Sequence, residues 1–96
     1  MKIRFTTRAA ADLEGIVAYL ESHNARSTND VLAAIQRRIS WLLEFPLMAP
    51  ATDEPRVREL SLVRYPYKIY YEVADEEIRI LHIRHTRRRP WRRSQG

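Results

Sequence analysis

The chain has no cysteine and almost no glycine, and each absence excludes a class of function. Without a thiol it can form no disulfide framework, no thiolate metal site and no cysteine nucleophile. Its only glycines are Gly15 and Gly96, so it has no glycine-rich loop of the kind that holds phosphates in nucleotide-binding folds. Whatever chemistry the protein performs therefore depends on charged, aromatic and histidine side chains.

Long apolar runs are also missing. No segment approaches the ~18 consecutive apolar residues of a membrane span, and the N-terminal stretch reaches Asp12 without an apolar run of signal-peptide length. We therefore expect a soluble, cytoplasmic protein with no membrane partner. The 96 residues, 45% of them hydrophobic, suffice for one small core. This predicts a single domain over residues 1–90 and a basic tail over residues 91–96.

Positive charge is concentrated near the C-terminal end of the sequence. The net charge is +5, but six of the seventeen basic residues lie within residues 84–93 and all twelve acidic residues precede them, so residues 1–83 carry a net charge of −1. A basic tail of this kind suits a polyanion, either a nucleic acid or an acidic protein segment. A solvated chain end without a partner is the alternative.

Residues 65–85 are predicted to form a β-hairpin. Apolar and polar side chains alternate over residues 67–73, which is the period of a half-buried strand. The following run, residues 78–83, carries bulky side chains on both faces, which favours a strand in the interior of a sheet. The acidic residues 74–77 between the two runs are predicted to form the hairpin loop.

Two amphipathic helices are predicted before the hairpin. Thr6 or Thr7 can cap a first helix that runs to about Ser22, with an apolar stripe at three- and four-residue spacing. Ser27 followed by Asp30 resembles a capping box at the start of a second helix. Because the loop between the helices is short, we expect an antiparallel helical hairpin packed on a sheet.

Short strands are predicted on both sides of the helices. Residues 2–5 alternate before the first helix, and residues 56–63 alternate after a proline-containing loop at residues 46–55. The predicted order is β-α-α-β-β-β, an α+β fold in which a helical hairpin packs on a small, mostly antiparallel sheet. Val57 is out of phase with Leu60, which predicts a β-bulge between them.

The histidines and tyrosines of the hairpin are predicted to be largely structural. His82 and His85 are three positions apart on a strand, so they point to opposite faces and no metal site is expected. His82 alternates with core positions, and Tyr67 and Tyr71 share a face with apolar side chains. His85 could instead be a hydrogen-bonded histidine at the sheet edge or take a direct part in function.

Five short motifs occur in a characteristic order along this sequence. They are Ala11-Asp12-Leu13-x-x-Ile16-x-x-Tyr19, Leu43-x-x-Pro46, Val57-Arg58-Glu59-Leu60, Tyr67-Lys68-Ile69-x-Tyr71 and Ile80-Leu81-x-Ile83-Arg84-His85. In order and spacing they resemble the RelE/ParE superfamily of toxins from type II toxin–antitoxin systems. The resemblance covers residues 3 to about 90 and implies a RelE/ParE-like fold.

The resemblance also implies a function. It indicates a growth inhibitor, of the kind associated with plasmid stabilization, that forms a hetero-oligomer with a cognate antitoxin and needs no cofactor. The first helix motif and the last strand motif are more similar to the ParE branch, which is associated with inhibition of DNA gyrase. The RelE branch, which cleaves mRNA on the ribosome, is the alternative. A superfamily member that has lost toxicity and acts as an interaction partner is a third possibility.

A ribonuclease reaction would need a proton acceptor, a proton donor and cations around one phosphate. The candidates in this sequence are Lys68, His85 and Arg87. RelE-type ribonucleases resemble this chain in having a cation at the position of Lys68. They also place basic residues on the preceding strand, where this chain has Glu59 and Ser61, and a tyrosine in the tail, where this chain offers Trp91. Two expected contributors are therefore absent, which favours inhibition by binding over catalysis.

The predicted binding surface for the target or the antitoxin consists of the basic residues of the hairpin and the tail together with one tryptophan. Its members are Arg58, Arg64, Lys68, Arg84, His85, Arg87, Arg88, Arg89 and Trp91. An acidic, amphipathic antitoxin segment that folds on binding would suit the tail and the adjoining groove. Because the surface is basic, we expect the association to weaken with salt.

Overall fold

The predicted order of elements is confirmed in the computed structural model, which describes residues 1–87. The elements are β1 (Lys2–Phe5), α1 (Thr7–His23), α2 (Ala25–Ser40), a 3₁₀ turn (Trp41–Leu43), β2 (Arg58–Ser61), β3 (Tyr67–Ala74) and β4 (Glu77–His85). None of the helices within this described part is long and apolar enough to cross a membrane.

The four strands form one sheet in the order β1-β4-β3-β2. β4 is antiparallel to β3, β3 is antiparallel to β2, and β1 lies parallel to β4. The sheet is therefore mostly antiparallel, as predicted. β4 lies between two neighbours, which explains why it carries bulky side chains on both faces.

The main core lies between the helices and one face of the sheet. Both helices, the strands β2, β3 and β4, and the loop before β2 contribute to it. Its most deeply buried members are Val31, Ile35, Leu42, Leu60, Ile69, Tyr71, Ile78 and Ile80. A smaller apolar cluster of Val57, Tyr70 and Leu81 lies on the other face of the sheet.

The bulge that the sequence predicted between Val57 and Leu60 is not there. β2 pairs with β3 without interruption, and Val57 belongs to the smaller cluster on the other face. Val57 therefore departs from the alternation of Leu60 because it faces the opposite side of the sheet, and no bulge residue is needed to explain it. The register shift of the sheet lies instead between Tyr70 and Tyr71 of β3, where Leu81 of β4 is the additional residue.

The two helices begin differently. Thr6 caps α1 as predicted, because its hydroxyl oxygen accepts a hydrogen bond from the backbone N–H of Ala9 at 3.2 Å. The predicted capping box at Ser27 is wrong, because α2 already begins at Ala25. Asn24 alone separates the helices, so there is no room for a longer break.

The predicted hairpin loop is confirmed as a two-residue turn between β3 and β4. Asp75 and Glu76 both have positive φ, at 54° and 58°, which is the conformation of a type I′ turn. Neither residue is a glycine. Arg79 stabilises the turn, since its guanidinium donates hydrogen bonds to Asp75 at 2.8 Å and to Glu77 at 2.6 Å.

Candidate functional site

A cleft forms between α1 and the C-terminal half of β4, beyond the point where β1 ends. β1 pairs with β4 only as far as Ile80, so the next residues of β4 would have an unpaired edge. Side chains of α1 and its cap satisfy this edge instead. The Thr6 hydroxyl donates to the Ile80 carbonyl at 2.8 Å, beside the backbone N–H of Thr6 at 3.0 Å, and a carboxylate oxygen of Asp12 accepts from the Ile83 N–H at 3.0 Å.

A buried pair of Asp12 and His82 lies at the inner wall of this cleft. Their facing atoms, Asp12 Oδ2 and His82 Nδ1, are 2.5 Å apart, and the His82 side chain is only 8% exposed. Burial lowers the pKa of His82, and the nearby Asp12 carboxylate opposes this shift only in part. The imidazole also stacks on Tyr70. These contacts agree with the interpretation of His82 as a structural residue that fixes α1 against β4.

The cleft itself has a volume of about 500 Å³ and a basic rim. Arg8 and Arg87 are exposed at it, although Arg8 also pairs with Asp12 at 3.2 Å. His85 contacts Tyr67 edge to face, and its Nδ1 accepts a hydrogen bond from the Arg87 N–H at 3.2 Å. A rim of this kind can bind a carboxylate or a phosphate group.

The three candidate residues for a ribonuclease do not come together. His85 pairs with Tyr67 across β3 and β4, and Lys68 pairs with Arg84 at the next register position. Adjacent positions of a strand point to opposite faces, so Lys68 lies on the face away from His85. Lys68 also forms an ion pair with Glu59, and it does not line the cleft.

The other predicted binding residues are distributed over several parts of the molecule. Arg58 donates hydrogen bonds to two carbonyl oxygens of the loop before β2, at 2.7 and 3.3 Å, and so holds that loop. Arg84 is buried and donates to the Tyr70 hydroxyl at 3.2 Å. Arg64 is exposed. Three further predicted residues, Arg88, Arg89 and Trp91, lie outside the described residues.

The sequence interpretation missed an apolar groove between the two helices. It has a volume of about 620 Å³, and its apolar lining residues are Phe5, Ala10, Leu13, Val17, Ala18, Leu32 and Ile35. Glu14 and Glu21 also line it. The apolar stripe of α1 was predicted to pack on the sheet, yet only Ala9 and Leu20 of this helix are buried. The width of this apolar stripe could have indicated the groove, because packing against a single neighbour needs a narrower apolar stripe.

No group of three histidine, aspartate or glutamate side chains that could hold a metal ion occurs within residues 1–87. Over the same residues, the features described so far are the Asp12–His82 pair, the basic rim of the cleft and the apolar groove.

Comparison with known proteins identifies relatives of this fold. Residues 3–90 match the family model described as the ParE toxin of the type II toxin–antitoxin system parDE. The chain is also 32% identical over 85 residues to the candidate toxin Y4kP of Sinorhizobium fredii, covering 88% of each protein.

Solved structures of toxin–antitoxin systems are similar as well. The chromosomal ParDE system of P. aeruginosa contains a chain that is 27% identical, with a TM-score of 0.67 and coverage of 88% of this chain and 95% of that chain. The RelBE2 complex of Mycobacterium tuberculosis is 22% identical with a TM-score of 0.59 over 88% and 95% of the two chains, a likeness in fold alone. From the family match and the identity to its relatives, the chain belongs to the ParE toxin family of type II toxin–antitoxin systems.

Proposed function

We propose that this protein arrests bacterial growth by binding and inhibiting DNA gyrase, and that a cognate antitoxin neutralises it. The observation that carries the proposal is that Lys68 lies on the face of the sheet away from His85 and outside the cleft that His85 and Arg87 line. Inhibition by binding needs no convergence of these three residues. DNA gyrase is the target associated with the ParE branch, and its location makes the cytoplasm the proposed site of action.

Catalysis of RNA cleavage has less support. Cleavage needs proton transfer and cationic charge around a single phosphate. The charge of Lys68 is offset by Glu59, and Nδ1 of His85 is engaged by the backbone N–H of Arg87. A substrate phosphate placed at the cleft would therefore meet His85 without meeting Lys68.

The groove between α1 and α2 is the proposed docking site for the antitoxin. It is open, mainly apolar and formed by two helices, which suits the apolar face of an amphipathic helix. Binding there would derive its affinity mainly from burial of apolar surface. The salt-sensitive association predicted for the basic tail concerns a different part of the chain and stays a prediction.

The first test is macromolecular synthesis after brief induction of the protein alone in bacteria. Incorporation of labelled thymidine and of a labelled amino acid is followed in parallel. Loss of DNA synthesis before translation is the expected result, and a supercoiling assay with purified protein and gyrase then follows. Earlier loss of translation would contradict the proposal in favour of a ribonuclease. Normal growth would indicate a member without toxicity.

A second test uses Lys68→Ala, His85→Ala and Arg87→Ala as separate variants. Inhibition by binding predicts that none of the three substitutions alone abolishes toxicity, because no single side chain carries a reaction step. Each variant must still fold and bind antitoxin, which thermal unfolding and co-purification establish. Loss by several powers of ten from one substitution alone, with folding intact, would contradict inhibition by binding and favour catalysis.

A further inference from the structure

A separate cleft lies at the C-terminal end of α2, between this helix and the segment that connects β2 to β3. Its volume is about 280 Å³. The residues that line it are Ala34, Arg37, Arg38, Trp41, Leu62, Val63, Arg64 and Tyr65. We refer to it as the Trp41 cleft.

The Trp41 cleft and the groove between the helices lie on opposite sides of α2. Of the residues of α2, the groove uses Leu32, Ile35 and Gln36, whereas the cleft uses Ala34, Arg37 and Arg38. An α-helix turns by about 100° per residue, which places the centres of these two sets roughly 160° apart around the axis. A partner in the Trp41 cleft and an antitoxin in the groove would therefore bind different surfaces.

Large apolar side chains are exposed at the Trp41 cleft. Trp41 is 51% exposed and Val63 is 87% exposed. An exposed tryptophan beside an aliphatic side chain is typical of an interaction site, where tryptophan contributes more to affinity than most residues.

The charge of the Trp41 cleft has one sign. Three arginines and no carboxylate are found among its described lining residues. Within residues 1–87, Arg37 and Arg64 take part in no ion pair. Arg38 donates a hydrogen bond to the Ser61 carbonyl at 3.1 Å and so joins α2 to the end of β2 beside the cleft. The cleft therefore complements a partner that is acidic and carries an apolar side chain.

We infer that the Trp41 cleft is a docking site for an acidic protein segment with an apolar anchor residue, supplied by the protein that the toxin inhibits. The inference rests on the proposed function and adds the contact surface. The anchor side chain packs between Trp41 and Val63, while carboxylates of the same segment pair with Arg37 and Arg64. A nucleic acid fits less well, because the aliphatic wall offers no hydrogen-bonding group to a base edge.

The test compares Arg37→Glu/Arg64→Glu with a matched control, Lys2→Glu/Arg26→Glu, that changes the net charge equally. All four side chains are exposed, and both control residues lie away from the cleft. Each full-length variant is assayed for thermal unfolding, for antitoxin binding and for growth arrest in bacteria. We expect roughly 100-fold more survivors with the cleft variant than with the wild type, and wild-type arrest with the control.

The apolar anchor is tested with Trp41→Ala and Trp41→Phe. The alanine variant should lose toxicity in the same way, and the phenylalanine variant should retain most of it, because an aromatic ring can still cover the anchor. Antitoxin binding by both variants should equal that of the wild type, which shows that the fold and the groove are intact. Equal toxicity of the alanine variant and the wild type would overturn the inference.

The outcomes separate the inference from the proposed function. If the wild type and Arg37→Glu/Arg64→Glu arrest growth equally, the inference is wrong and the proposed function stands. If the wild type does not arrest growth, the proposed function is wrong and the inference falls with it. A labelled oligothymidylate of about twelve nucleotides serves as the nucleic-acid probe. Binding of this probe that the cleft variant loses and the control keeps would identify a nucleic-acid partner and overturn the inference.

Discussion

One carboxylate oxygen of Asp12 contacts two groups of β4 at once. It lies 2.5 Å from Nδ1 of His82 and accepts the N–H of Ile83 at 3.0 Å. The contact joins the middle of α1 to a strand seventy positions later in the chain. β1 ends at Phe5 and cannot pair with this part of β4. The Asp12 carboxylate therefore takes the place of a hydrogen bond between strands.

We expect Asp12→Ala to destabilise the fold by about 3 kcal/mol, because it leaves a buried imidazole and a backbone N–H without their acceptor. Denaturant unfolding monitored by circular dichroism measures the change. Glu14→Ala is the matched control, since Glu14 is an exposed carboxylate on the same helix, and it should change stability by no more than ~0.5 kcal/mol. Equal effects of the two substitutions would contradict a structural role for the Asp12 contact.

The buried imidazole of His82 predicts a pH dependence of stability. Its pKa in the folded protein lies below the ordinary value of 6.5, because burial penalises the charged form more than Asp12 favours it. Below about pH 6.5 the unfolded chain therefore takes up a proton that the folded protein does not, so stability falls with falling pH until the lowered pKa is reached.

His82→Asn isolates this effect, because asparagine can donate to Asp12 and does not titrate. We expect the free energy of unfolding of the wild type to fall more steeply than that of the variant between about pH 7.5 and 5.5. Groups that do not contact residue 82 affect both curves equally and cancel in the difference. Parallel curves would contradict a lowered pKa at His82.

The turn between β3 and β4 predicts a stabilising substitution. Glu76 has a φ of 58° and is exposed, and a left-handed conformation costs an ordinary residue about 1–2 kcal/mol. Glycine removes this cost but loses about 0.5–1 kcal/mol through greater freedom in the unfolded chain. Glu76→Gly should therefore gain about 0.5 kcal/mol in urea unfolding, whereas Glu76→Ala, which keeps a β-carbon, should gain nothing. A destabilised glycine variant would contradict the turn conformation.

The groove between the helices predicts where antitoxin binding can be blocked. Ala18 lines the groove and is exposed, so Ala18→Arg should fold normally and fill the space with a charged side chain. We expect at least about a tenfold loss of antitoxin affinity by calorimetric titration. Ala51→Arg places the same change on an exposed position of the loop before β2, which does not line the groove, and should bind as the wild type does. Equal affinities of the two variants would place the antitoxin elsewhere.

Sequence patterns predicted the elements of this fold better than the contacts between them. Alternation over residues 67–73 and bulk on both faces of residues 78–83 were sufficient to predict the hairpin and the interior position of β4. These patterns are local and are imposed directly by burial. The predicted capping box at Ser27 was wrong because no local pattern in the sequence shows that Asn24 alone separates the two helices.

The site was harder to predict because its parts come from distant positions. Nothing in the local spacing of Asp12 indicates that it will meet His82, and a stripe on α1 does not show which of its members face the second helix instead of the sheet. The ribonuclease candidates were grouped by proximity in sequence and by resemblance. The register between β3 and β4 decides which face each one occupies, and a bulge at Leu81 shifts that register midway along the strands.

The parallel pairing of β1 with β4 has a consequence for how the protein is made. A ribosome synthesises β1 and α1 first, yet the Thr6 hydroxyl finds its carbonyl acceptor on a residue 74 positions later. Translation adds about 5–20 residues per second, so the early elements wait for several seconds before the central strand of their sheet exists. A protein with this topology completes its sheet only after β4 has been synthesised, so a partner that recognises the assembled sheet can bind only from that point on.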